Sequence, residues 1–122
     1  MTVNQGEIYW VTLEGPARSG SGYPHPHVVI QENVINHSRV QTVVVCALTS
    51  NLKRAKAPGN VLLEAGEGNL ARQSVAVVSQ VSTIKKTQLG EYIGTLTPQR
   101  IHQILAGMQF LQRMTEHHEA SE

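Results

Sequence analysis

Two histidines separated by a proline are the side chains of this sequence best suited to proton transfer. The segment Tyr23-Pro24-His25-Pro26-His27 lies where a stretch rich in Gly, Ser and Pro meets an apolar run. If both histidines belong to a strand, alternation points the two imidazoles to the same side. Imidazole side chains titrate near neutrality and act as acid or base. Three interpretations stay open: a catalytic histidine, a metal site that needs further ligands, or a rigid turn with partly exposed histidines.

Hydroxyl and amide side chains mark two further candidate positions. Thr49-Ser50-Asn51 follows an apolar run, and hydroxyls at a strand end can bind phosphate or orient a reacting group. A turn or capping role is the alternative for these residues. Gln80 lies in an apolar strand, where its amide needs a partner, either a base or the backbone. Cys46 lies in the most apolar run and is interpreted as a core thiol.

Basic residues cluster in two stretches that contain no acid, although the net charge of the chain is only +1. Residues 33–63 carry Arg39, Lys53, Arg54 and Lys56, and residues 68–90 carry Arg72, Lys85 and Lys86. Such segregation favours a basic face that binds a polyanion. Two solvated loops that happen to carry Lys and Arg are the alternative.

Length and composition exclude several classes of protein. The 122 residues suffice for one domain, and no apolar run approaches the roughly 18 residues of a membrane span. The first residues have neither a basic start nor an apolar stretch, which argues against a secretory signal and predicts a cytoplasmic protein. A single cysteine excludes an internal disulfide. All nine acids are Glu, which argues against the usual two-metal nuclease site and against EF-hand calcium loops.

The order of elements predicts a mainly β protein. Alternating and β-branched runs predict strands over 6–13, 27–31, 41–48, 61–64, 74–81 and 92–96, with one helical turn over 83–89 and loops elsewhere. Thr97 is a typical helix N-cap before Pro98, and apolar residues then recur at helical spacing: Ile101, Ile104, Leu105, Met108 and Leu111, with Phe110 as a further candidate. The polar residues after Met114 are expected to fray. We therefore expect a small antiparallel barrel closed by a C-terminal amphipathic helix.

Taken in order, five segments resemble the MazF/PemK family of toxin endoribonucleases. The opening Gly6-Glu7-Ile8-Tyr9-Trp10-Val11 is similar to that family's first strand, and Thr42 to Ser50 is similar to its strand ending in Ile-Thr-Ser. Pro26 to Ile30, Ala55 to Pro58 and Gln80 to Ile84 also match. The likeness spans roughly residues 6 to 112 with little gapping.

The resemblance implies an α+β fold that is mainly β: an SH3-like barrel of the CcdB/MazF type, as one toxin domain over residues 1–122 with a core of about 6–114. It implies a homodimer that cuts single-stranded RNA without a metal or other cofactor. It also implies a cognate antitoxin of a type II toxin–antitoxin system, whose flexible segment covers the RNA groove. In this chemistry a ribose 2′-hydroxyl loses its proton to a base and attacks the adjacent phosphorus, while an acid protonates the departing 5′-oxygen.

The resemblance also suggests which residues form the site. The family's catalytic Thr matches Thr49, and its catalytic Arg is replaced by His25, which we predict to act as the acid or base. A nearby cation (Arg18, Lys53 or Arg54) would then supply the positive charge. The predicted substrate-binding residues are Ser19, Ser50, Lys53, Arg54 and Gln80.

The departures from the family pattern leave two other functions open. Gly20 and Ser21 replace the acid and amide of the family's Gly-Ser-Glu-Gln loop, and Ser79 replaces the Glu before Gln80. With the catalytic Arg absent, the chain could be a non-nucleolytic toxin that binds DNA gyrase, as the CcdB type does. It could also be a catalytically impaired relative that only binds nucleic acid.

Overall fold

In the described part of the chain, short runs of β-branched and aromatic residues form six strands, and the C-terminal apolar stripe forms a long helix. The computed structural model describes residues 2–13 and 22–120. The strands are β1 (Glu7–Val11), β2 (His25–Val29), β3 (Thr42–Thr49), β4 (Val61–Leu63), β5 (Ser74–Lys85) and β6 (Leu89–Thr95). The α-helices are α1 (Asn33–Asn36) and α2 (Pro98–Ala120). Short 3₁₀ segments occupy Leu52–Lys56, Glu67–Asn69 and Lys86–Gln88.

The strands form one antiparallel sheet in the order β4-β5-β3-β2-β1-β6. Strands β4 and β6 lie at its two edges, so the predicted closed barrel is wrong, whereas the mainly β class and the C-terminal helix are confirmed. The three-residue β4 is short, and the connection after it approaches β6 through a 3₁₀ segment instead of a strand. There the side-chain amide of Asn69 donates to the carbonyl of Ile93 in β6 at 2.9 Å.

Alternation along the strands gives the sheet two apolar faces. One face, called the helix face, carries Val28, Cys46 and Leu48 and packs with Ile101 and Ile104 of α2. The other, called the second face, carries Tyr9, Val11, Val29, Val43, Val45, Ile84 and Leu89. Because side chains alternate along a strand, burial on both faces fixes which residues of β2 and β3 share a side.

Helix α2 starts as predicted, since the hydroxyl of Thr97 accepts a hydrogen bond from the backbone N–H of Arg100 at 3.3 Å. The predicted stripe packs on the sheet, but Phe110 falls outside it and is 45% exposed. The helix continues to Ala120, whereas fraying was expected after Met114. Although α2 has 23 residues, no helix in the described part of the chain is long and apolar enough to cross a membrane.

An ion pair fastens the start of α2 to the connection that follows β4. The guanidinium of Arg100 donates from Nε and Nη2 to the two carboxylate oxygens of Glu67, both at 2.8 Å. These hydrogen bonds lower the pKa of the Glu67 carboxyl and raise that of Arg100. Two parallel bonds hold the guanidinium in one orientation, which is the stronger geometry for such a pair.

Several element boundaries differ from those predicted, and tertiary pairing explains the main difference. Strand β5 extends through Lys85, because Val43 pairs with Ile84 and Thr42 with Lys85. Only Lys86–Gln88 is helical within the predicted turn over 83–89. Strand β2 begins earlier than predicted, at His25, and α1 lies in what was interpreted as a polar connection. Pairing across the sheet outweighs local propensity in such short segments.

Gly107 should resist substitution even though it lies within a helix. A Cβ atom on Gly107 would meet the carbonyl oxygen of Gly59, in the turn before β4. We expect Gly107→Ala to lower the free energy of unfolding by about 1–3 kcal/mol through overpacking, despite the better helix propensity of Ala. Denaturant unfolding measures this, with Gln109→Ala at an exposed position of α2 as the control. A more stable Gly107→Ala protein would contradict the close approach.

Cys46 should be unreactive in the folded protein. Its thiol is fully buried on the helix face, and burial raises the pKa of Cys46 to about 12. Since the thiolate is the nucleophile, alkylation by iodoacetamide should be at least about 1000-fold slower in native buffer than in guanidinium chloride. Mass spectrometry over time gives both rates. Rapid labelling in native buffer would show that the thiol reaches solvent.

Candidate active site

The pairing of β2 with β3 brings His25 and Thr49 to the same end of the sheet. The paired residues are His27 with Ala47, Val28 with Cys46 and Val29 with Val45. Continuing this register by two residues places His25, the first residue of β2, opposite Thr49, the last residue of β3. Side chains at directly opposite positions of an antiparallel pair have Cβ atoms about 5 Å apart.

Both predicted catalytic residues also belong to one face of the sheet. Alternation places His25 and His27 on the side of Val29, and it places Thr49 on the side of Val45. Val29 and Val45 both belong to the second face. The His25 side chain is exposed at the start of β2, so it is accessible to a ligand on that face.

The two histidines of the Pro-His-Pro-His segment have different environments. His27 is 3% exposed, and its Nδ1–H donates to the backbone carbonyl of His25 at 2.9 Å. The pattern predicted two imidazoles on one side of a strand, which agrees with both residues lying in β2. The interpretation as a turn with partly exposed histidines is wrong for His27, which is buried. We infer that His27 fixes the backbone from which the His25 imidazole projects.

The end of β3 is shaped by the hydroxyl and amide side chains that follow it. The Thr49 hydroxyl oxygen accepts a hydrogen bond from the backbone N–H of Asn51 at 3.2 Å. The side-chain oxygen of Asn51 in turn accepts a hydrogen bond from the backbone N–H of Lys53 at 3.2 Å. Asn51 thereby caps the 3₁₀ segment Leu52–Lys56. Ser50, which lies between Thr49 and Asn51 in the chain, is exposed in a bend. The Thr49 hydroxyl keeps its own proton, which it can donate to a bound oxygen.

Two cations follow Thr49 in the segment Leu52–Lys56. Lys53 is exposed and Arg54 is partly buried. Within residues 2–13 and 22–120 the structure contains one ion pair, between Arg100 and Glu67. No described carboxylate therefore pairs with Lys53 or Arg54. The positive charge of this segment is therefore available to an anionic ligand.

Asn60 anchors this basic segment to the sheet, a role that sequence analysis missed. Its side-chain NH₂ donates to the carbonyl of Arg54 at 2.8 Å, and its side-chain oxygen accepts from the N–H of Val78 in β5 at 3.0 Å. The sequence signal was the Pro58-Gly59-Asn60 turn, which predicts a change of direction but not a bond to a distant strand.

Gln80 lies at an irregularity of β5 instead of inside a regular apolar strand. Cys46 pairs with Val81 while Leu48 pairs with Ala76, so residues 77–80 of β5 lie opposite Ala47 alone. Gln80 is exposed at the end of this bulge, so its amide is accessible to a ligand, and the contact with a base stays a prediction. Bulges re-aim side chains, and alternation with Ile84 directs Gln80 to the second face, which His25 and Thr49 share.

On the second face, Tyr9 of β1 lies next to His27 of β2. Tyr9 pairs with His27 across β1 and β2, and its hydroxyl donates to a carboxylate oxygen of Glu7 at 2.8 Å. Its ring packs edge-to-face on Tyr92 with centroids 5.7 Å apart. Burial, followed by the hydrogen bond to Glu7, raises the pKa of Tyr9, which stays protonated as a hydrogen-bond donor.

Two remaining expectations concern residues and ligands that this geometry does not test. Ser19 and the alternative cation Arg18 lie outside the described residues. Among residues 2–13 and 22–120, no three His, Cys, Asp or Glu side chains converge in a way that could hold a metal ion.

Comparison with known proteins identifies the family. Residues 4–111 match the family model described as PemK-like, MazF-like toxin of type II toxin–antitoxin system. This chain belongs to the PemK/MazF toxin family. It is 36% identical over 108 residues to Endoribonuclease MazF6 of Mycobacterium tuberculosis, covering 88% of this chain and 95% of that protein. It is 29% identical over 109 residues to Endoribonuclease EndoA of Bacillus subtilis, with 89% and 93% covered.

Solved structures of PemK/MazF-type toxins share the fold. MazF from Deinococcus radiodurans superposes with a TM-score of 0.74 at 17% identity, covering 92% of this chain and 97% of that one. An endoribonuclease in complex with its cognate antitoxin, from a mycobacterial species, gives 0.67 at 21% identity, with 87% and 90% covered. At these identities the likeness establishes the fold alone.

Removing the Asn60 side chain should loosen the basic segment of this toxin-family member. Asn60→Ala deletes two hydrogen bonds and leaves the Val78 N–H without its partner, which should lower the free energy of unfolding by about 1–3 kcal/mol. Native-state hydrogen exchange should show faster exchange of the Val78 amide and little change at Val45 in the centre of the sheet. Gln5→Ala, which deletes a side-chain hydrogen bond to the carbonyl of Ile30, is the matched control. Unchanged protection at Val78 would contradict the anchoring role.

Proposed function

We propose that this member of the toxin family is an endoribonuclease that cleaves single-stranded RNA, with His25 and Thr49 as its catalytic residues. The observation that carries the proposal is the register of β2 against β3, which leads to His25 opposite Thr49 on one face. A basic segment without a described acidic partner follows directly after Thr49. Relatives named endoribonuclease, at up to 36% identity, support the same activity.

The proposed reaction needs one proton carrier and a site of fixed positive charge. The neutral His25 imidazole takes the proton of a ribose 2′-hydroxyl, and the 2′-oxygen then attacks the adjacent phosphorus. The bond from phosphorus to the 5′-oxygen breaks on the opposite side of phosphorus, where that oxygen takes a proton from solvent water. The imidazolium of His25 then releases its proton to solvent, which restores the base. The products are a 2′,3′-cyclic phosphate and a 5′-hydroxyl, without a metal ion or other cofactor. General acid–base catalysis of this kind contributes about 10²–10⁴-fold to a rate.

Thr49, Lys53 and Arg54 would act on the negative charge that develops at phosphorus. The Thr49 hydroxyl is a hydrogen-bond donor at the end of β3, opposite the expected place of His25. Donors fixed before the reaction stabilise charge without having to reorganise, which is the basis of their catalytic effect. The two cations would supply the charge that the family's Arg carries and that a neutral imidazole lacks.

The remaining predicted residues and partners extend the same proposal. Ser19, Ser50 and Gln80 would contact the RNA, and Gln80 is exposed on the second face. We place the protein in the cytoplasm as a homodimer inhibited by a cognate antitoxin. Solved complexes of related toxins, the mycobacterial endoribonuclease with its antitoxin and MazE-MazF from Deinococcus radiodurans, support an antitoxin partner.

Cleavage of a long single-stranded RNA in EDTA tests the proposal. The wild type should cut at selected sites, and His25→Ala and Thr49→Ala should each lower the cleavage rate by about 10²-fold or more. His102→Ala removes an exposed histidine of α2 and should leave the rate within about twofold of wild type.

The results for the variants test the catalytic roles of His25 and Thr49, whereas the result for the wild type tests whether the protein is a nuclease. Retained cutting by a folded His25→Ala protein would remove His25 from the mechanism. Circular dichroism and thermal unfolding of each variant show whether it is folded. An RNA that stays intact with folded wild type would overturn the nuclease and leave binding to gyrase or to nucleic acid.

A further inference from the structure

We propose that a basic cavity beside the start of β3, remote from the candidate active site, binds the phosphoryl group of a nucleotide unit. The cavity has a volume of about 260 Å³. Its walls come from residues 38–41 and from residues 85–87. Thr42 pairs with Lys85 at this end of β3, whereas Thr49 lies at the other end. Thr42 and Thr49 are the two ends of the eight-residue β3 and therefore lie roughly 23 Å apart, at about 3.3 Å per residue step.

Charge is the first observation that points to an anionic ligand. Three of the lining side chains are cations, namely Arg39, Lys85 and Lys86, and none of the lining residues is acidic. The ion pair found in the described parts of the chain lies elsewhere, between Arg100 and Glu67. Three like charges around one concavity repel one another, and a bound phosphate anion would relieve that repulsion and accept their hydrogen bonds.

The second observation is that the cavity is held in shape by hydrogen bonds between distant parts of the chain. The Lys86 ammonium donates to the backbone carbonyl of Asn36 at 2.7 Å, and the Lys86 N–H donates to the carbonyl of Gln41 at 2.8 Å. Asn36 is itself buried, with its side chain hydrogen-bonded to Gln31. A site that is formed before binding loses less entropy when its ligand arrives.

The third observation concerns the size and chemistry of the cavity. Val40, which is 43% exposed, adds an apolar wall beside the cations. The aliphatic stems of lysine and arginine also present apolar surface below their charged heads. This combination suits a phosphate ester that carries a sugar or base. The phosphoryl group could belong to a free nucleotide or to a backbone phosphate of RNA.

Binding measurements on wild type and a double variant, Arg39→Gln/Lys85→Gln, test the proposal. Both side chains are exposed, and the structural bonds of Lys86 stay intact. The probes are uridine 5′-monophosphate, followed by NMR shifts of the Val40 and Thr87 amides, and a fluorescent 2′-O-methyl RNA 12-mer, followed by anisotropy. A 2′-O-methyl strand has no free 2′-hydroxyl, so binding is measured whether or not the protein cuts RNA. The control, Arg72→Gln/Arg113→Gln, removes the same charge from exposed positions outside the cavity.

We expect the cavity variant to weaken binding of at least one probe by about 10-fold or more, and the control by less than about threefold. If only the 12-mer responds, the ligand is an RNA phosphate, and its salt slope should fall by about 0.7 for each phosphate that the variant no longer neutralises. If uridine monophosphate responds, shifts Val40 and Thr87 and competes with the 12-mer, the cavity takes free nucleotides as well. Equal effects of the two double variants on both probes would overturn the proposal.

Discussion

The register of β2 against β3 is the constraint on which the candidate active site depends. It is fixed by burial on both sides of the sheet, since Val28 and Cys46 lie on the helix face while Val29 and Val45 lie on the second face. A slip of one residue would exchange the faces, so the side chains that now fill one core would have to pack in the other. The same burial that stabilises the centre of the sheet therefore determines where His25 and Thr49 emerge at its end.

Much of the fold could be predicted from local pattern, because β-branched runs and the Thr97-Pro98 helix start are local signals. Sheet closure could not be predicted, since it depends on whether the chain after β4 reaches β6 as a strand or through the bond from Asn69 to Ile93. The extent of β5 likewise followed from its partner Val43 and not from its own residues. The pairing of distant strands is the information that a sequence pattern lacks.

In the candidate site, too, some features follow from neighbouring residues and others only from the pairing of distant strands. The exposed position of His25 and the turn after Thr49 agree with patterns of neighbouring residues, whereas the bulge before Gln80 arises from a change of register between two strands. For the basic residues the sequence left two interpretations open, one basic face or two solvated loops. In the structure Arg39 lines a cavity with Lys85 and Lys86 at the start of β3, while Lys53 and Arg54 follow the end of β3. Arg39 and Lys85 are distant in sequence, and the pairing of Thr42 with Lys85 is what unites them.

In the proposed RNA-cleaving site, His25 in place of the family's arginine separates proton transfer from charge stabilisation. A guanidinium is always charged, so it can hold a phosphate, but it is a poor carrier of protons at neutral pH. An imidazole can carry the proton but does not guarantee the charge. In this chain the imidazole projects from a strand that is paired on both sides, while the charge lies on a short segment anchored through Asn60 to β5. Proton transfer demands closer positioning than charge stabilisation, because Coulomb forces act over longer distances than hydrogen bonds. A strand for His25 and a capped loop for Lys53 and Arg54 match those two demands.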